Sequence, residues 1–196
     1  MKKFIFLALL LTIARYADLQ TTYFSTPDLK TEANPLVSKL GFDWTELIIS
    51  QVIFLGLLIY FLWIYSFRTV RTPIVDAKLP LIKFVSLFYF NDIKGFYRIL
   101  YKLPTNRNSL LYSFGFILTY TFIIWSFVVS VSTILLLINK SYRSFYISNS
   151  LWIYLYFAGL GLFMFFSVKF FKNEFNKRIL SWQSISQYTA CSQPAT

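Results

Sequence analysis

The 196-residue chain contains no histidine and a single cysteine, Cys191. Without histidine there is no imidazole to act as a general base, to ligate a metal or to hold haem. One cysteine cannot form an internal disulfide or a cysteine-rich metal site. We therefore expect neither a cofactor nor a metal, and the inventory of catalytic side chains is poor.

Charged residues are also scarce, at 14% of the chain, whereas soluble domains contain about 25%. Hydrophobic residues reach 57%, and the excess is aromatic, with 23 Phe, 14 Tyr and 5 Trp. A soluble domain of this length could not bury so much apolar surface. The composition therefore predicts an all-α integral membrane protein.

Four apolar segments are candidates for spanning helices, which need about 20 mostly apolar residues each. The first, at about 4–24, competes with another interpretation, a secretory signal peptide cleaved after Ala14. We expect one membrane domain with four spans, or three if the N-terminus is removed. The other three predicted spans are 45–67, 110–138 and 148–171.

The basic residues predict the orientation of these spans, because loops on the cytoplasmic side carry an excess of Lys and Arg. With both termini inside, the inner side holds 14 basic residues and the outer side four. We therefore expect both termini, including a polar tail at 182–196, to face the cytoplasm of a bacterial inner membrane. The alternative is the matrix side of an organellar inner membrane. The net charge of +11 then predicts contact with anionic lipid rather than with nucleic acid.

The segment 68–109, between the second and third spans, is basic yet too apolar for a disordered linker. Within it, the spacing of apolar residues over 91–103 predicts an amphipathic helix that lies in the membrane surface. Lys94, Arg98 and Lys102 recur at i, i+4 and i+8, on the polar face of that helix. We expect these three side chains to contact lipid head groups or a partner protein.

The most unusual polar residues lie near the N-terminus. Arg15 and Asp18 are three residues apart and Thr22 follows four later, so all three share one face of a helix. Ionisable residues inside a membrane are costly, and they usually face the bundle interior or a cavity. Glu32 and Asn34 stand in the next loop and would meet this face if the loop folded back. The sequence therefore predicts a polar site here.

The same residues form the pattern D-x-x-T-T … E-x-N-P, which begins at Asp18 and ends at Pro35. This pattern resembles the signature of a family of small prokaryotic membrane proteins with few spans and no assigned function. The resemblance covers about residues 5–65, without the basic segment and the last two spans, and it implies no activity. The candidate polar site comprises Arg15, Asp18, Thr21, Thr22, Glu32, Asn34 and Pro35.

Two further groups of polar residues have structural interpretations. Ser126, Ser130 and Thr133 recur at i, i+4 and i+7 in the third predicted span, a stripe that can form hydrogen bonds between helices. Asp43 and Glu46 precede and open the second span, but their spacing matches no standard metal motif.

Three functions are open for such a chain. The first is a non-enzymatic subunit or accessory of a larger membrane complex, with membrane lipids and other membrane subunits as partners. The second is a small transporter or channel with its site at Arg15, Asp18, Glu32 and Asn34. The third is an intramembrane enzyme that acts on lipid-linked substrates through Asp18 and Glu32. We favour the first, because neither carboxylate has a histidine or a clear second carboxylate to share acid–base work.

Overall fold

The structure is a computed structural model of the chain. It describes residues 1–29, 35–70 and 79–191, with side chains up to 179 apart from those of Pro35, Phe96 and Leu100. Within these ranges the chain forms α-helices and one short 3-10 helix, Phe96–Leu100, and contains no strand. The α-helices are α1 (Lys2–Ser25), α2 (Pro35–Ser38), α3 (Trp44–Phe67), α4 (Leu81–Phe90), α5 (Arg107–Ile138), α6 (Lys140–Ser148) and α7 (Leu151–Cys191).

Four of the described helices, α1, α3, α5 and α7, are long and apolar enough to cross a membrane. The shortest of them has 24 residues. Such a helix extends about 36 Å at about 1.5 Å per residue, more than the hydrocarbon core of about 30 Å. The prediction of an all-α membrane protein with four spans is confirmed. The chain is a multi-pass membrane protein.

Helix α5 is the centre of this bundle, because α1, α3 and α7 all pack against it. Helices α1 and α3 run antiparallel: the rings of Phe4 and Phe67 are 5.2 Å apart, as are those of Tyr23 and Trp44. The bundle therefore has two ends, which we name after the short helices beside them. Helices α1 and α5 begin at the α4 end and finish at the α6 end.

Two glycines allow the spanning helices to approach each other closely. A Cβ atom on Gly115 of α5 would collide with the backbone carbonyl of Phe61 in α3. A Cβ atom on Gly159 of α7 would lie 2.9 Å from the indole ring of Trp125 in α5. Both pairs of helices therefore depend on the absence of a side chain at the contact.

The apolar core has two parts. At the α4 end, aromatic rings from α4, α5 and α7 form one cluster, which includes Phe84, Phe88 and Phe170. In the middle of the bundle, α1, α3 and α5 form a second cluster from aliphatic side chains. Its buried members are Leu7, Leu11, Leu58, Leu62 and Ile123.

The connection between α3 and α5 differs from the prediction. The single helix expected over 91–103 is replaced by a bend at 91–95, directly after α4, and by the 3-10 helix Phe96–Leu100. Asn91 ends α4 with a left-handed φ of 54°, so it does not begin the expected helix. Gly95 has a φ of 126°, a conformation that side chains disfavour. The apolar spacing is present, but these two residues turn the backbone and prevent a continuous helix.

Helix α4 itself packs inside the bundle end and does not lie free on the membrane surface. Phe84 and Phe88 are fully buried. The Tyr89 hydroxyl and Ser113 Oγ are 2.7 Å apart, and the Asn106 amide donates a hydrogen bond to the Tyr89 carbonyl. These contacts tie α4 to the start of α5.

Helix α7 extends beyond the predicted span, which ended at residue 171. Its backbone is helical to Cys191, through part of the expected polar tail, while 192–196 lie outside the described residues. The 41 residues of α7 measure about 60 Å, twice the thickness of a hydrocarbon core. This helix can therefore cross the membrane and project from it.

Candidate functional site

The side chain of Arg15 connects three helices in the middle of the bundle. Its guanidinium donates hydrogen bonds to Asp18 Oδ2 at 2.9 Å and to Ser126 Oγ at 3.0 Å. It also donates to Gln51 Oε1. Only 12% of the Arg15 side chain and 19% of the Asp18 side chain are exposed. The network therefore joins α1 to α3 through Gln51 and to α5 through Ser126.

Aromatic rings complete the surroundings of the guanidinium. Its central carbon lies 5.8 Å from the ring centroid of Phe54 and 5.9 Å from that of Phe122. A cation above a desolvated ring is attracted to its negative face. One donor is left over: Arg15 Nε is buried and has no hydrogen-bond partner among the described residues.

The structure places the predicted site residues in different situations. Arg15 and Asp18 form an ion pair. Thr22 lines a cavity beside this pair, which is described below. Thr21 instead donates a hydrogen bond to the Asp18 carbonyl within α1. Pro35 begins α2, without a described side chain. Glu32 and Asn34 lie outside the described residues.

A cavity of about 870 Å³ opens beside the Arg15 network, toward the α6 end. Helix α1 supplies a mostly polar wall, with Asp18, Thr22 and Ser25. Helices α5 and α7 supply mostly apolar side chains, among them Val129 and Leu155. This volume falls within the range of about 300–1,000 Å³ that is usual for ligand pockets.

The predicted polar stripe on α5 runs along this region. Ser126 bonds to Arg15, and Thr133 lines the cavity while its hydroxyl donates to the Val129 carbonyl. Ser130 is buried between them, and its hydroxyl has no hydrogen-bond partner within the described part of the chain. One of the three hydroxyls therefore forms the expected bond between helices.

Asp43 and Glu46 cap the N-terminus of α3. The Glu46 amide donates to Asp43 Oδ1 at 2.9 Å, and the Asp43 amide donates to Glu46 Oε2 at 3.2 Å. This reciprocal arrangement is a capping box, which satisfies amides at the helix start. No group of three or more His, Cys, Asp or Glu residues in a metal-binding arrangement occurs within the described ranges.

The basic residues of the expected surface helix do not share one helical face. Arg98 lies in the 3-10 helix, 2.8 Å from Asp92 Oδ2 and 5.1 Å from the ring centroid of Phe90. Lys94 precedes that helix and Lys102 follows it, and both are exposed. Desolvation acts to raise the pKa of Asp92. The hydrogen bonds from the Arg98 side chain and the Lys94 amide outweigh it, so the pKa lies below its ordinary value.

A second polar cluster, which the sequence analysis missed, surrounds Glu174 near the α4 end. Only 4% of this residue is exposed, and Lys177 Nζ lies 2.7 Å from its carboxylate. Tyr112 of α5 lies close to the same carboxylate. The available signal was an acidic residue three positions before a lysine, a spacing that pairs charges on a helix. Glu174 lies among four basic residues, so the segment as a whole is basic and the single acidic residue was overlooked.

Comparison with known proteins gives no family to which the chain can be assigned. No family model, no curated protein and no solved structure matches it.

Proposed function

We propose that this multi-pass membrane protein is a non-enzymatic subunit or accessory of a larger membrane complex, and that α7 contacts the partner. The observation that carries this proposal is the burial of α7. Only 6% of its most apolar stretch is buried within the chain, compared with 28% for α5 and 22% for α3. Among the described spanning helices, α7 packs mainly against α5.

The exposed face of α7 is apolar and leaves open space at one glycine. Large apolar side chains recur along it at helical spacing, including Phe157, Leu160 and Met164. Gly161 lies among them, and a Cβ atom there would meet nothing within 4 Å. Small residues at such positions allow another helix to approach closely.

The partners of the Arg15 guanidinium also support a non-catalytic role. The guanidinium donates hydrogen bonds to Asp18, Gln51 and Ser126, all of which belong to this chain. Groups that are engaged in holding helices together are poorly placed to bind and release a transported ion. The Arg15 network therefore fits a structural role, in which its hydrogen bonds to Gln51 and Ser126 hold α1 against α3 and α5.

The α4 end is proposed to face the cytoplasm of a bacterial inner membrane, or the matrix of an organelle. The excess of 14 basic residues over four supports this orientation. It would bring the exposed Lys94 and Lys102 close to the anionic head groups of the inner leaflet.

The test is to purify the tagged full chain from its own membrane in mild detergent and to quantify the proteins that co-purify. Gly161→Leu would place a side chain in the middle of the exposed α7 face and should remove most of the partner. Gly56→Leu is the matched control, because Gly56 is an exposed span glycine on α3 that also has open space around it. Equal loss of partner in both variants, or no stoichiometric partner in wild type, would contradict the proposal.

A small transporter or channel is the second candidate, favoured by the cavity beside Arg15 and Asp18. Transport would require the helices to separate, because the aliphatic cluster of α1, α3 and α5 lies between this cavity and the α4 end. Flux into liposomes that Asp18→Asn abolishes and Lys94→Ala preserves would support this candidate. Absence of flux for protons, common ions and small anions would count against it.

A further inference from the structure

The cavity at the α6 end has two kinds of wall. Helix α1 contributes Arg15, Asp18 and Thr22 to it, whereas α7 contributes Trp152 and Leu155, and α5 contributes further apolar side chains. A polar wall beside an apolar wall suits a molecule that is itself polar at one end and apolar along the rest. Water alone would leave the apolar wall without a favourable contact.

The depth of the cavity corresponds to one leaflet of a bilayer. Along α5 its lining extends from Leu137, at the α6 end, down to Phe122. The 15 steps between these two residues span about 22 Å at about 1.5 Å per residue. Half of a hydrocarbon core measures about 15 Å. The cavity thus reaches from the membrane surface to the depth of the acyl chains.

A basic side chain, that of Arg143, lies at the surface end of the cavity. Arg143 of α6 lines it, is exposed, and forms no ion pair with the residues that the structure describes. Deeper in the cavity, the charge of Arg15 is balanced by Asp18. The charged side chains of the lining therefore leave one positive charge, and it lies near the head-group level. An anionic head group is the complementary partner.

We propose that this cavity binds one anionic phospholipid from the leaflet at the α6 end, with its phosphate near Arg143 and an acyl chain along α5 and α7. Val129 and Leu155 supply the apolar contact for the chain. The site is independent of the proposed partner surface, because that surface is the opposite, exposed side of α7.

The test uses the full chain, delipidated in detergent, and native mass spectrometry with phosphatidylglycerol or phosphatidylcholine added. We expect one phosphatidylglycerol to bind, about fivefold more tightly than phosphatidylcholine, which is the effect of about one basic residue at the membrane surface. Arg143→Gln should remove this preference. Lys140→Gln, on the same helix but outside the cavity lining, should preserve it.

A second variant tests the cavity itself, independently of the charge of Arg143. Val129→Trp should abolish binding of both lipids while the thermal unfolding of the protein stays close to that of wild type. Equal binding of the two lipids, or equal loss in Arg143→Gln and Lys140→Gln, would overturn the proposal. Release of a co-purifying protein by Val129→Trp, without any lipid bound in wild type, would assign the cavity to a partner instead.

Discussion

Arg15 places a positive charge inside the bundle, where an uncompensated charge is expensive. The ion pair with Asp18 neutralises it, and hydrogen bonds to Gln51 and Ser126 engage two further N–H donors. The spacing of three residues in α1 predicted the pairing with Asp18, because that contact is local. Gln51 could not be predicted, since the face that α3 turns toward α1 depends on packing between distant parts of the chain.

Replacement of Arg15 by methionine should therefore destabilise the bundle strongly. The change leaves the Asp18 carboxylate without its partner, and breaking such a buried pair typically costs about 3–5 kcal/mol. Chemical unfolding of the purified protein in detergent measures the free energy of unfolding.

Two further variants make this prediction specific. Arg15→Met combined with Asp18→Leu should recover much of the loss, because no buried charge then remains unpaired. Thr12→Val is the control, since the Thr12 hydroxyl is exposed and bonds only to the Ala8 carbonyl of its own helix. If Arg15→Met proved as stable as Thr12→Val, Arg15 would not be a lock between helices.

At the scale of the element, α3 and α5 depend on a contact that the sequence did not reveal. Gly115 brings the backbones of the two helices together at Phe61. A glycine within an apolar run shows only that a side chain is absent, and the neighbour that benefits is known only once the helices are packed.

Gly115→Ala should accordingly destabilise the protein by about 1–3 kcal/mol, the usual cost of overpacking. The new methyl group would collide with the Phe61 carbonyl, which belongs to a rigid helix and cannot move away easily. Gly56→Ala is the matched change in α3, where the added methyl group meets open space. It should be neutral or slightly stabilising, because alanine favours helix. Equal thermal stability of the two variants would show that α3 and α5 do not approach closely at Gly115.

The turn between α4 and the 3-10 helix shows how local periodicity can mislead. The apolar residues of 91–103 repeat as in a helix, yet Asn91 and Gly95 both have positive φ values. The ion pair between Asp92 and Arg98 then holds the turn closed. Helical periodicity was therefore a necessary feature of the predicted helix but not a sufficient one.

This turn should loosen in acid. The pKa of Asp92 lies below its ordinary value in the folded protein, so its contribution is complete above about pH 4, the unfolded value, and disappears as the pH falls through the folded value. Amide hydrogen exchange over 91–101, corrected for the intrinsic effect of pH, should show protection lost below about pH 4. Asp92→Asn should show weak protection at every pH. Identical pH profiles for the two proteins would exclude the carboxylate as the cause.

For the whole molecule, composition and hydropathy were sufficient to predict the class and the four spans. Each span is a local property of 20 or so residues, because every backbone polar group in a membrane must bond within its own helix. The central position of α5 and the peripheral position of α7 could not be predicted. They depend on glycine contacts and aromatic packing between segments far apart in sequence.

We predict that α1 is retained as a spanning helix, because its side chains complete the core. Leu7, Leu11 and Ala14 are buried, two of them completely, and the first two contact Leu58 and Leu62. Cleavage after Ala14 would remove all three and would leave Arg15 at the start of the chain. The aliphatic cluster and the Arg15 lock would both be lost.

The decisive measurement is peptide mapping by mass spectrometry of the protein purified from its own membrane. We predict that peptides containing Leu7, Leu11 and Ala14 are recovered, because these buried residues complete the core. A mature chain that begins at Arg15 would contradict the account, because the bundle would then have three spans and no lock in its centre.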